Sequence, residues 1–263
     1  MTSTVARPAT TVRPVGTGRL ARAMRSDGAL IVTPFVIVAG AVALYLYNQS
    51  LDLDFSAASA LERAKLQRQF VDHITITLWA SLLVVVIAVP LGITLTRPRF
   101  RRLASPVLTV ANSGQAMPAY GLVVLFAAWL GTGIRTVIIA LAFFALLPVL
   151  RNTMVGLNQV DPAIIEAGRG MGMSRRMVLW RIELPLAVPV ILAGIRTALV
   201  LTVGMAALAF LIGGGGLGET INSGLKLSRN EVVVTGAGIV ALLALSVDWL
   251  AGMAERFLRP RGL

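Results

Sequence analysis

The chain has 263 residues, of which 56% are hydrophobic and 14% charged, with a mean hydropathy of +0.81; an ordinary soluble domain carries about 25% charged residues, and no polar stretch here is long enough to build one. The net charge of +12 raises nucleic acid as a partner, but the arginines fall in short runs between apolar stretches and not on one soluble face, which is the positive-inside pattern of a membrane chain. Without cysteine, and with His73 as its single histidine, the sequence excludes disulfides and thiolate or histidine-rich metal sites.

In chain order, residues 1–28 are rich in Thr, Pro, Gly and Arg without apolar periodicity and read as a disordered basic cytoplasmic arm. The apolar run that follows is too long for a cleavable signal and lacks a clear small-residue cleavage site. Apolar windows at Leu30–Tyr47, Ile74–Thr96 and Val107–Leu130 each approach or exceed the ~18 residues of a spanning helix. Thr136–Leu150 is short and must borrow flanking residues; Leu186–Ile212 is interrupted by Arg196, and Val232–Ala251 by Asp248. The expected architecture is thus an all-α membrane protein of about six transmembrane helices, with a membrane domain over 29–254 and a tail over 255–263. His73, at the edge of the second window, reads as a solvated polar residue.

Six spans put both termini on one side, and charge decides which. The arm, the second-to-third and fourth-to-fifth connections and the tail hold 17 arginines, whereas the opposite face holds Arg63, Lys65, Arg68, Arg135, Lys226 and Arg229. Both termini are therefore expected in the cytoplasm. In the third window Asn112, Gln115 and Pro118 form a polar, helix-weakening patch, suited either to lining a pore or to hydrogen bonding between helices. Arg196 and Asp248, in neighbouring spans, are expected to pair with each other.

The fourth-to-fifth connection, residues 159–185, has too much local signal for a slack linker. Asp161-Pro162 is an N-cap and first-turn pair, Gly170 and Gly172 are stop signals, Ser174 caps a second helix, and Pro185 should close the element at the membrane surface. Its apolar residues exceed what a solvated helix needs and point to a protein partner. The string Glu166-Ala167-Gly168, three residues, Gly172, nine residues, Ile182, one residue, Leu184-Pro185 resembles the EAA loop of the membrane subunits of ATP-binding-cassette (ABC) importers, with Gly168 in place of a second alanine. The resemblance implies that this loop is the coupling helix that docks in a cytoplasmic ATPase, and that the fold is that of a type I ABC importer permease. A wider likeness over roughly Ile74 to Ser223, including TLWAS, PLGI and GGGGLGETINSGL, is to permeases of the osmoprotectant class, which move glycine betaine, choline or carnitine.

That resemblance implies a second permease chain, an extracytoplasmic substrate-binding protein, and a bacterial inner-membrane location. No G-x-x-x-x-G-K-[ST] occurs, so ATP and its magnesium are expected on a partner and no cofactor on this chain. The G-x-G-x-x-G at Gly213, Gly215 and Gly218 lacks the strand, helix and parallel sheet of a dinucleotide site, and reads as glycine-rich backbone at the outer mouth. The rival reading is a carrier or channel driven by ion gradients, opposed by the EAA-like loop and by the scarcity of acidic and histidine residues within the spans. A membrane enzyme lacks any cluster of His, Cys or paired carboxylates to support it.

Overall fold

A computed structural model describes residues 17–258, with side chains from residue 31 onward. Every regular element among the described residues is helical, the arrangement that satisfies backbone polar groups within each segment where water is absent. The chain runs α1 (Thr17–Gln49), α2 (Phe55–Ala60), α3 (Arg63–Leu95), α4 (Ala104–Ala116), α5 (Ala119–Leu130), α6 (Ile134–Asn158), α7 (Pro162–Gly170), α8 (Arg175–Val178), α9 (Leu184–Ala206), α10 (Gly218–Leu227) and α11 (Asn230–Leu258). Helix α1 begins at Thr17, inside the segment read as an irregular arm, where Leu20, Ala21, Arg22, Ala23 and Met24 are good helix formers; residues 1–16 lie outside the described residues. At the other end α11 continues past residue 254 to Leu258, and residues 259–263 lie outside the described residues.

The centre is formed by α3, α6 and α9, with α11 on α9, and α1 and α10 on α11. Small residues allow the close approach that membrane helices need: a Cβ on Gly194 of α9 would stand 2.9 Å from the Pro148 carbonyl oxygen of α6 and 2.7 Å from Asn152 Cβ. One apolar cluster joins Ile76, Val137, Met205 and Ile212; a second joins Val84, Leu95, Leu150 and Ala198 nearer the other end of the same helices.

The third span is not the continuous helix that its composition suggests. It breaks between α4 and α5 with a 109° change of direction, where Met117 is extended (φ −79°, ψ 143°) and Pro118 opens α5. The residue before a proline is driven out of the α region, which accounts for the break. Because α4 packs into the cluster of Leu150 and α5 into that of Val137 and Ile212, the pair follows α6 from one end toward the other. Counted as one broken span, the pair joins five helical units among the described residues that are long and apolar enough to cross a membrane.

His73 is not solvated. It is fully buried, with Nε2 2.9 Å from the Val203 carbonyl oxygen and Nδ1 3.4 Å from the Leu217 amide nitrogen. Since Nδ1 accepts from that amide, Nε2 carries the proton and donates to Val203. One turn earlier, buried Gln69 donates to Glu219 at 3.0 Å and accepts from Thr220. These bonds fasten the early turns of α3 to Val203 of α9 and to the start of α10 at Leu217, Glu219 and Thr220, either side of the loop in which Gly213, Gly215 and Gly216 have φ of 75°, 80° and 89°.

Candidate functional site

The segment 159–185 is built by its own end signals. Asp161 Oδ1 accepts from the Ala163 amide at 2.8 Å, and Pro162 occupies the first turn of α7, where its missing N–H leaves nothing unsatisfied. The helix closes by a bond from the Met173 amide to Gly168 O at 3.2 Å and one from the Gly172 amide to Arg169 O at 2.9 Å. With Gly172 at φ +83°, this is a Schellman ending, which requires a left-handed residue at that point. Ser174 Oγ then accepts from the Met177 amide at 3.3 Å and starts α8.

The second helix does not stop at Pro185. A π-helical turn over Leu179–Glu183 joins α8 to α9, and the run Arg175–Ala206 is long and apolar enough to count as one membrane-crossing unit. The Leu184 amide bonds back five residues to Leu179 O; a wide turn of this kind accommodates the donor and the space that a proline removes. The second helix of the segment and the span therefore form one run, Arg175–Ala206.

The underside of the element is closed by Gly168, Val178 and Ile182. Val178 is 1% exposed, and a Cβ on Gly168 would lie 2.5 Å from Ile182 Cδ1; the larger isoleucine end fills the space that an alanine would occupy. The outer surface carries Ile164, Met171 and Trp180, exposed by 45%, 72% and 68%, together with exposed Glu166 and Ala167 and the guanidinium-bearing Arg169, Arg175, Arg176 and Arg181. The Glu166 side chain makes no hydrogen bond or ion pair to any described residue. Exposed apolar side chains among unpaired charges suit a protein partner.

Glu183 is a functional candidate that sequence reasoning passed over. Its carboxylate is 7% exposed and accepts two bonds from Arg97, Nη1 to Oε1 at 3.2 Å and Nη2 to Oε2 at 2.5 Å. Arg97 lies just past the end of α3, so the pair ties that helix to the π-turn. The available signal was an acid at the mouth of a span, opposite an arginine at the mouth of another.

In the membrane domain, Arg196 of α9 and Asp248 of α11 form a two-bond pair, Nε to Oδ1 at 2.6 Å and Nη2 to Oδ2 at 2.7 Å, with Glu255 Oε2 3.8 Å from Nη1. Gly252 leaves room for the guanidinium, 3.0 Å from where a Cβ would stand. Asn112 is exposed and Gln115 partly so, and neither side chain bonds to a described residue, while Pro118 marks the break itself. These three groups of residues occupy separate places: the segment 159–185 at one end, the ion pair along α9 and α11, the polar break beside Phe143 of α6.

Residues 88–260 match the family described as binding-protein-dependent transport system inner membrane component. The choline transport system permease protein OpuBB of Bacillus subtilis (strain 168) is 43% identical over 73% of this chain and 88% of that protein. The glycine betaine/carnitine/choline transport system permease protein OpuCB of the same organism is 40% identical over the same shares, 73% and 88%. Among solved structures, an inward-facing MetNI methionine ABC transporter chain aligns with a TM-score of 0.66 over 74% of this chain and 97% of that one; at 22% identity this establishes the fold. The helices, the interrupted third span and the matched length agree: the chain belongs to the family of inner-membrane permease components of binding-protein-dependent ABC importers.

Proposed function

We propose that this permease carries a small osmoprotectant with a quaternary ammonium group, choline, glycine betaine or carnitine, along a path formed with a second permease chain. The support is the likeness to choline and glycine betaine/carnitine/choline permeases over 73% of the chain. A binding protein outside selects the cargo. The aromatic share of the chain is only 6%, poor material for the aromatic cages that hold quaternary ammonium ions, so the path itself is permissive. Asn112 and Gln115, unbonded beside the break in the third span, offer it polar contacts.

The single observation behind the coupling role is the exposed face of 159–185, with Glu166 unpaired and Gly172 in a left-handed turn. A cytoplasmic ATPase, which binds ATP and magnesium, docks there. Its closure tilts the helix that runs from Arg175 to Ala206, and the Arg97–Glu183 pair makes α3 follow. The arginine-rich side faces the cytoplasm of a bacterial inner membrane, with both termini inside. Glu166→Lys tests the docking face: it should reduce ATPase co-purification at least several-fold while the chain stays in the membrane. Unchanged co-purification together with unchanged uptake would remove this reading.

A further inference from the structure

A cleft of about 840 Å³ lies between α1, α3 and α11, within the ~300–1,000 Å³ typical of ligand cavities. Its lining changes character along its length. Gln49 at the end of α1 and Arg63 and Gln67 on the first turns of α3 form the rim; Asn48 and Thr235, bonded to each other at 3.0 Å, lie just within it, and Leu44, Ile239 and Leu242 line the deeper part. From Arg63 to Phe70, the cleft's deeper residue on α3, the helix descends about 10 Å at its usual rise, enough to pass from the headgroup layer into hydrocarbon. The Arg63 and Gln67 side chains make no hydrogen bond or ion pair to any described residue. A cationic, hydrogen-bonding rim above a mainly apolar interior has the polarity gradient of an anionic phospholipid, with Arg63 placed for its phosphate.

We propose that this cleft is a binding site for an anionic phospholipid, its phosphate against Arg63 and one acyl chain between α1, α3 and α11. The lipid fills the gap between α1, which packs on α11, and the start of α3, and so holds α1 against both. The site is independent of the cargo and of the ATPase.

Because the chain has no cysteine, Leu44→Cys accepts a single bimane fluorophore in the full chain reconstituted into vesicles. Titration with dibrominated phosphatidylglycerol or dibrominated phosphatidylcholine at equal mole fraction then reads occupancy by quenching. The expected result is about fivefold stronger association of phosphatidylglycerol, the effect of one arginine near a membrane surface. Arg63→Gln should bring the two lipids to parity, and Arg63→Lys should keep the preference. Equal quenching by both lipids in the unsubstituted background overturns the proposal, as does absence of quenching; a Leu44→Cys disulfide between chains would then identify a second copy as the occupant.

Discussion

Glu183 and Arg97 show what a single buried contact contributes. Removing one partner of a buried ion pair leaves the other uncompensated, a loss of ~3–5 kcal/mol when both are fully enclosed. Arg97 is 34% exposed and reaches water, so Glu183→Ala should cost less, about 2 kcal/mol, measured as a lower melting temperature of the purified chain. The reversed pair Arg97→Glu with Glu183→Arg should recover part of it. If, as proposed, the pair carries motion from the coupling segment to α3, uptake should fall more than the ATPase activity of the assembled transporter. For Arg196 and Asp248 the double-mutant cycle is the decisive reading: each alanine replacement should lower stability, and the double replacement should fall short of the sum by about 1–3 kcal/mol. Additive losses would mean the contact contributes nothing. Gly168→Ala should be tolerated at about 1 kcal/mol, because only the mobile Ile182 Cδ1 end stands within 2.5 Å of the new methyl.

For the proposed coupling element, Gly172→Leu combines a left-handed backbone, φ +83°, with a side chain that resists it by roughly 1–2 kcal/mol. The spans do not depend on that turn, so the variant should reach the membrane at normal levels while uptake falls at least tenfold; normal uptake would refute the docking role of the turn. This element was legible in the sequence because its ends are set locally: Asp161, Pro162, Gly172 and Ser174 each act on amides within a few residues. Pro185 misled for the same reason. A proline signals a stop, but the π-turn over Leu179–Glu183 absorbs it and lets α9 continue. The apolar length of the third span likewise reported composition and not direction, and the 109° break at Met117 and Pro118 depends on where α6 receives each half. The burial of His73 and Glu183 was illegible because their partners, Val203, Leu217 and Arg97, are distant in sequence.

Over the whole molecule, the apolar helices and family membership agree on a membrane permease component. Orientation is checked with single cysteines in the cysteine-free chain: Arg99→Cys and Arg175→Cys should be shielded from an impermeant thiol reagent in intact cells, while Ala58→Cys, at an exposed position of α2, should react. Free labelling at Arg175→Cys would reverse the topology and place the coupling segment outside. The most direct test of the account is uptake of labelled choline or glycine betaine by proteoliposomes. Transport should require the binding protein on one side and the ATPase with magnesium and ATP on the other, and Gly172→Leu should abolish it. Full uptake by this chain alone under a sodium or proton gradient, without ATPase or binding protein, would contradict the account and establish an ion-coupled carrier.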